Sequence, residues 1–224
     1  MSGVDPRVFL AEAIEPATAQ LNEAIEKIQS QLPPIHLQKP SAIRAARERG
    51  EGVWGPIVPV PEARVRRIPG PTGEIPVRVI APESPRGVYL HFHGGGWALG
   101  AAHHCDVANL RIAQQCGLAV VSVDYRLAPE DPYPAGPDDC EAAALWVVEH
   151  AEREFGSKRL LIGGESAGAH LAVVTLLRLR DRHVLRHRGE ERSEPDSLDG
   201  EERLGHRDVL GASIGPAPAG ARLL

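Results

Sequence analysis

The stretch RLLIGGESAGAHLA, residues 159–172, decides the fold, because it turns an apolar run into a helical pattern at a serine between glycines. Residues 164–168 match the nucleophile-elbow pattern G-x-S-x-G, in which a sharp strand-to-helix turn exposes a serine oxygen. Gly164 and Gly168 would let the strand and the helix approach closely. A plain helix start is the alternative interpretation, but the buried strand before Ser166 favours a nucleophile. The N–H group of Ala167 would then lie at a helix N-terminus, where negative charge is favoured.

A second glycine-rich motif, HGGGW at residues 93–97, follows the apolar strand GVYLHF at residues 87–92. Its glycines Gly94, Gly95 and Gly96 are costly in conformational entropy unless the backbone must bend sharply or face a ligand. An oxyanion hole has this requirement, because backbone N–H groups must point at the charge that develops on a carbonyl oxygen. A flexible loop is the alternative interpretation. The motif follows the third predicted strand and the serine follows the fifth, which favours an oxyanion hole supported by His93.

Strands and helices alternate through the middle of the chain. The predicted strands are 87–92, 118–125 and 158–163, and the predicted helices are 106–116 and 137–155. Asp106 is predicted as the N-cap of the first of these helices and Gly117 as its C-terminal stop. Residues 64–82 predict a hairpin that turns at residues 71–73. The alternation predicts an α/β fold with a mostly parallel sheet and helices on both faces.

Three segments of the chain differ in composition. Residues 1–55 carry apolar residues at helical spacing around a break at Pro16, followed by a short basic helix and a glycine-containing linker. Residues 60–182 carry the strands and helices of the core. Residues 183–224 are rich in charge and have neither helical nor strand periodicity, so we expect this tail to be disordered.

Composition limits the classes of function. The 224 residues have a net charge of -5 with interspersed acids and bases, so nucleic-acid binding is not predicted. The three cysteines and the histidines lack metal-ligand spacing, and neither a metal nor a cofactor is predicted. The sequence shows no secretory leader and no apolar stretch long enough for a membrane. These features predict a cytoplasmic protein that acts on a small molecule.

A charged turn, DYRLAPE at residues 124–130, ends the middle strand. Asp124, Arg126 and Glu130 are interpreted as structural residues that tie down the loop beside the oxyanion segment. They are not predicted to take part in the chemistry.

The motifs HGGGW, DYRLAPE and GESAG, in this order and at this spacing, resemble those of the bacterial hormone-sensitive-lipase-like esterases of the α/β-hydrolase fold. The resemblance covers about residues 5–182 and implies that the N-terminal helices form part of a cap over the active site. It implies a carboxylic-ester hydrolase that acts on small, short-chain esters through Ser166 and an acyl-enzyme. It also implies an oxyanion hole formed by the N–H groups of Gly94, Gly95 and Ala167.

Ser166 also needs a histidine that takes its proton and an acid that orients this histidine, and in this fold both follow the serine. The family's DPxxDE-like segment and later histidine are absent from the sequence. The 43 residues after Asp181 are too few for the roughly three strand–helix units, at about 30 residues each, that complete the sheet. Asp199 and His206 follow in the right order, but no predicted strand holds either residue.

Two hypotheses follow from this deficit. In the first, the chain is an esterase whose sequence is truncated or frameshifted near His183, so that the C-terminal part of the sheet is missing. In the second, the chain is a short product that is inactive or serves as a non-catalytic ligand-binding module. The second hypothesis leaves the strand at 158–163 as an exposed apolar edge, which is an aggregation hazard and counts against it. The chain as given is predicted to show little or no turnover.

Overall fold

The computed structural model describes residues 5–184, and its elements follow the predicted alternation. The helices are α1 (Pro16–Gln29), α2 (Pro40–Glu48), α3 (Asp106–Cys116), α4 (Ala135–Phe155) and α5 (Ala167–Leu179). The strands are β1 (Arg64–Gly70), β2 (Gly73–Ile80), β3 (Val88–Phe92), β4 (Ala119–Val123) and β5 (Leu160–Gly164). Nearly all of the predicted disordered tail lies outside the described residues. Within residues 5–184, none of the helices has the length and apolar content that crossing a membrane requires.

The five strands form one sheet in the order β1-β2-β4-β3-β5. β1 and β2 are the predicted hairpin, and β2 pairs antiparallel with β4. β4, β3 and β5 run parallel, with Leu90 of β3 opposite Val121 on one side and Ile162 on the other. The described sheet is therefore mixed, and both glycine-rich motifs follow strands of its parallel part.

Helices cover both faces of the sheet, as predicted. α4 and α5 pack on one face, where the larger apolar cluster contains Phe92, Val121 and Leu171, all fully buried. α3 packs on the other face, where Val120 belongs to a smaller cluster with Ala113. Successive residues of a strand point to opposite faces, which is why Val120 and Val121 lie in different clusters.

The ends of α3 and α4 test the helix boundaries that local sequence patterns predict. Gly117 ends α3 in the left-handed conformation, with φ of 63°, as predicted. Gly156 ends α4 in the same way, with φ of 69°. The N-cap prediction for Asp106 is wrong, because this residue is the first of α3 and its side chain caps nothing. Its buried carboxylate instead forms an ion pair with Arg78 of β2, because a buried charge requires such a partner.

The N-terminal helices differ in how they meet the core. No residue of α1 is buried, so its role as part of a cap stays a prediction. α2 is attached through Arg44, which donates to the Ala98 carbonyl at 2.6 Å and to the Glu130 carboxylate at 2.5 Å. Glu48 at the end of α2 makes a second attachment, to His103 and His104.

β5 is an edge strand of the described sheet. Leu161 in its centre is 49% exposed, whereas every residue of β4 is buried. The predicted exposed apolar edge is thus confirmed for the described residues.

Candidate active site

The turn between β5 and α5 has the geometry of a nucleophile elbow. Ser166 has φ of 53° and ψ of -117°, a conformation that strains a residue other than glycine. A Cβ atom at Gly164 would overlap the Phe92 carbonyl at the end of β3 and lie 3.1 Å from Gly168 Cα. A Cβ atom at Gly168 would overlap the same carbonyl. Both motif glycines are therefore needed for β3, β5 and α5 to meet at this turn.

The elbow presents a hydroxyl group and a free backbone donor together. Ser166 is exposed at the tip of the turn, and Ala167 behind it is buried. Ala167 is the first residue of α5, so its N–H group has no acceptor within the helix. An N–H group in this position can stabilise negative charge next to the serine.

The HGGG loop lies directly against the elbow. A Cβ atom built on Gly94 would come within 3.5 Å of Ser166 Cβ. The Gly94 N–H group donates to Glu165 Oε1 at 2.9 Å, so it is not free to bind an oxyanion as predicted. The N–H groups of Gly95 and Gly96 have no acceptor in the described part of the chain. The contact with Glu165 therefore corrects the prediction for Gly94 and leaves the next two glycines as candidate donors.

Glu165, the residue before the serine, is the centre of a hydrogen-bond network. Its Oε1 accepts from the Gly94 N–H group and from the Cys105 thiol at 3.2 Å, and its Oε2 accepts from His91 Nε2 at 2.9 Å. Because a carboxylate only accepts, His91 carries a proton on Nε2, and its Nδ1 accepts from the Ser122 hydroxyl at 2.7 Å. The ionised carboxylate thus holds the glycine loop beside the serine.

The network sets the ionisation of two of its members. Partial burial raises the pKa of Glu165, but the hydrogen bonds from His91 and Gly94 outweigh it and lower the pKa to about 2. Burial, together with the negative charge of Glu165, raises the pKa of the Cys105 thiol to about 12. At neutral pH the acid is therefore ionised, and the thiol is a donor and not a nucleophile.

The serine motif alone does not predict this network, because Glu165 occupies a variable position of G-x-S-x-G and His91 lies within an apolar strand. The available signal is a polar residue within an apolar strand: His91 in β3 and Ser122 in β4 are both buried, and they are directly opposite in the register. Only the pairing of the two strands reveals that they are partners.

His93 supports the glycine loop from inside. Its Nδ1–H group donates to the Gly94 carbonyl at 2.8 Å, and its ring stacks on Tyr125 with 4.3 Å between centroids. The Tyr125 hydroxyl donates to the His93 carbonyl at 2.7 Å. Burial lowers the pKa of His93, which favours its neutral form. These contacts fix the backbone at the start of the motif.

The DYRLAPE segment holds the neighbouring loops in place, in agreement with its structural interpretation. Asp124 Oδ1 accepts from the Ala102 N–H group at 2.6 Å, and Arg126 forms a salt bridge with α4. The Ala128 N–H group donates to the carbonyl of Trp97, the last residue of HGGGW, at 2.9 Å. The segment contacts the HGGG loop without reaching the serine.

Ser166 Oγ has no hydrogen-bond partner among residues 5–184. His170, one turn along α5, instead makes an edge contact with Trp97, with 5.2 Å between ring centroids. Asp199 and His206 lie outside the described residues. Residues 5–184 therefore bring Ser166 and candidate oxyanion donors together, with no histidine hydrogen-bonded to the serine.

Within residues 5–184, two groups of side chains bring metal-ligating atoms together, although spacing along the sequence predicts no such site. One is the Glu165 network, and the other consists of Glu48, His103 and His104. The first group is already engaged in holding the glycine loop.

Known proteins resemble this chain over its glycine-rich motifs and beyond. A family model described as alpha/beta hydrolase fold matches residues 89–200, half of the chain. Esterase LipI of Mycobacterium tuberculosis is 38% identical over 193 residues, which cover 81% of this chain and 56% of LipI. Carboxylesterase NlhH of the same organism is 39% identical over 155 residues, covering 66% of this chain and 49% of NlhH.

The fold resembles solved structures in the same way. A hyperthermophilic esterase from the archaeon Pyrobaculum calidifontis superposes with a TM-score of 0.64 at 30% identity, over 75% of this chain and 55% of that protein. The chain spans about half the length of the relatives described here. The order of the motifs, the strand order and these similarities agree with one another. The chain belongs to the α/β-hydrolase family, among its hormone-sensitive-lipase-like esterases.

Proposed function

We propose that this chain carries the nucleophile half of a site that hydrolyses short-chain carboxylic esters. Ser166 Oγ attacks the ester carbonyl, the alcohol leaves, and water later releases the acid from the acyl-enzyme. The N–H groups of Gly95, Gly96 and Ala167 stabilise the oxyanion of each tetrahedral intermediate. The observation that carries the proposal is the strained, exposed Ser166 between unpaired backbone donors.

The substrate class rests on the relatives. LipI is named an esterase and NlhH a carboxylesterase, and a protein of Saccharolobus solfataricus that is 36% identical over 129 residues is named an arylesterase. Their shared chemistry is the hydrolysis of a carboxylic ester. This supports a small ester as the substrate of the complete site.

The proton of Ser166 needs an acceptor, and residues 5–184 supply none. A serine hydroxyl without a base is a weak nucleophile. An oxyanion hole that acts alone leaves a residual acceleration of about 10³–10⁴ over the reaction in water. We therefore propose that the 224-residue chain turns over esters slowly. The unpartnered serine also favours a second candidate function, a non-catalytic module that binds ester-like ligands at the same turn.

A cysteine in place of the serine tests the elbow without requiring a base, because a free thiol ionises near pH 8.5 by itself. We expect Ser166→Cys to release a burst of p-nitrophenol from p-nitrophenyl butyrate at pH 8.5, at a rate roughly tenfold or more above the wild-type chain. Ser157→Cys, on the loop before β5, is the matched control, because its thiol would lie away from the glycine loop.

The two outcomes separate the parts of the proposal. Equal acylation rates for Ser166→Cys and Ser157→Cys would contradict an oxyanion hole at the elbow and favour the binding module. Rapid turnover by the wild-type chain, abolished in Ser166→Ala, would instead contradict the missing base. The wild-type chain also corrects for acylation of its exposed Cys116.

A further inference from the structure

Glu48, His103 and His104 form a cluster where the N-terminal segment meets the core. Glu48 is the last residue of α2, and the two histidines lie in the 3-10 turn Ala102–Cys105. His103 Nε2 lies 3.0 Å from one carboxylate oxygen of Glu48, and His104 Nε2 lies 2.9 Å from the other. The two imidazole rings are 4.4 Å apart at an angle of 65°. Both rings therefore direct the same nitrogen to one carboxylate.

We propose that this cluster binds a divalent transition-metal ion of the Zn²⁺ type, with Glu48, His103 and His104 as its protein ligands. Two imidazoles and one carboxylate are a ligand set that zinc uses, with an open fourth position for water. All three ligand atoms already lie within 4.8 Å of one another. Tetrahedral bonds of about 2.0–2.1 Å place ligand atoms about 3.3 Å apart, so an approach of at most about 1.5 Å between any two of these atoms completes the set.

The proton balance of binding is simple. A carboxylate only accepts, so each Nε2 carries a hydrogen in the metal-free protein. The metal takes the place of this hydrogen, and each imidazole then carries its proton on Nδ1. Binding at or above neutral pH therefore requires a change of tautomer and no oxidant or reductant.

The surroundings leave the cluster accessible. Side-chain exposure is 49% for Glu48, 31% for His103 and 13% for His104, so one side of the cluster faces solvent. Arg47, the nearest cation along α2, donates to the Gly55 carbonyl at 2.5 Å and forms no ion pair with Glu48. The Glu48 carboxylate is therefore committed only to the two histidines among the described residues.

The Glu165 network is a poorer metal site than this cluster. Its thiol has a raised pKa and resists the deprotonation that ligation requires. Its carboxylate already accepts from Gly94 and His91. A metal there would have to break the contact that holds the glycine loop, whereas a metal at Glu48 breaks only the two hydrogen bonds that it replaces.

A metal bound at this cluster would connect α2 to the turn beside the candidate active site. Ala102 of the same turn donates to Asp124, and Cys105 donates to Glu165 beside the serine. A metal at His103 and His104 would join α2 to this turn more firmly than hydrogen bonds do. The ion thus fixes the N-terminal segment against the edge of the candidate active site.

The test is titration of the untagged, full-length, metal-free chain with ZnCl₂ at pH 7.5, followed by calorimetry, with Co²⁺ absorption as a spectroscopic readout. We expect one tight equivalent per chain and intense visible Co²⁺ bands typical of tetrahedral coordination. Glu48→Gln keeps an oxygen that accepts from the histidines but loses the charge, and it should weaken binding roughly tenfold or more. His103→Ala should weaken binding at least as much.

Two control variants locate the ion. His36→Ala removes an exposed histidine of the N-terminal segment, and Cys105→Ala removes a possible ligand of the Glu165 network; both should bind like the wild-type chain. Zinc should raise the melting temperature of the wild-type chain and not that of Glu48→Gln, which also shows that the variant folds. Absence of a tight equivalent, unchanged binding in Glu48→Gln and His103→Ala, or loss of binding in Cys105→Ala would each overturn the proposal.

Discussion

β3 has a parallel neighbour on each side, and the two neighbours differ in what covers them. β4 is buried along its whole length, whereas β5 is partly exposed. Both pair with β3 in the same way, since Val88 lies opposite Ala119 on one side and Leu160 on the other. Backbone pairing is therefore equivalent on both sides, and the difference lies in the side-chain cover.

The helices show the same contrast. α4, which connects the two neighbours, is buried along one face from Gly136 to Phe155. α5, which follows the serine, exposes Val173, Leu176 and Leu177 by 44–57%. Ser166 thus lies on the side of the sheet where fewer apolar side chains are buried. Its geometry depends on the close contacts of glycines and on the Glu165 network, and less on burial.

The close approach at Gly168 gives the largest expected effect. In Gly168→Ala the added methyl group overlaps the backbone carbonyl of Phe92, and neither strand nor helix can move without losing hydrogen bonds. We expect the free energy of unfolding, measured by urea denaturation, to fall by at least about 3 kcal/mol.

Gly163→Ala, in β5 just before the elbow, is the matched control. Its new methyl group meets only the outer end of the flexible Tyr89 ring, 2.8 Å from the hydroxyl, so we expect a loss of about 1 kcal/mol or less. Similar losses in both variants would show that the elbow does not depend on the contact with β3.

A pair of leucines compares the covered and the open side directly. Leu90 of β3 is 3% exposed and Leu161 of β5 is 49% exposed. Leu90→Ala should lower the free energy of unfolding by about 3 kcal/mol, because it leaves a cavity in the core. Leu161→Ala should lower it by less than about 1 kcal/mol. A large loss in Leu161→Ala, measured in the same urea titration, would mean that this edge is covered in solution.

Local patterns and long-range partners were predictable to different degrees. The strands, the helices, the glycine stops and the elbow follow from residues close in sequence, so their periodicity and turn chemistry predict them. Asp106 and Gly94 behave differently, because their partners Arg78 and Glu165 lie 28 and 71 residues away. A polar group that is hydrogen-bonded to a residue distant in sequence is not available for the role that its local motif predicts. The pattern alone therefore locates the site but does not assign every hydrogen bond within it.

The Glu165 network gives the smallest expected effect and a defined pH range. The folded-state pKa of about 2 lies below the usual value of about 4.3, so the unfolded chain takes up a proton first as the pH falls. The contribution of Glu165 is fully present above about pH 4.5 and is lost as the pH falls to about 2. Because the carboxylate is half exposed, solvent screening limits the contribution to below about 1 kcal/mol.

Comparison of the wild-type chain with Glu165→Gln isolates this contribution. The amide keeps an acceptor for Gly94 but does not titrate, so the stability difference between the two chains should shrink between pH 4.5 and pH 2. Glu149→Gln removes an exposed carboxylate of α4 and controls for the change in net charge. A difference that stays constant over this range would show that the charge of Glu165 contributes nothing. The position of Ser166 between β5 and α5 would then depend on the close contacts of Gly164 and Gly168 alone.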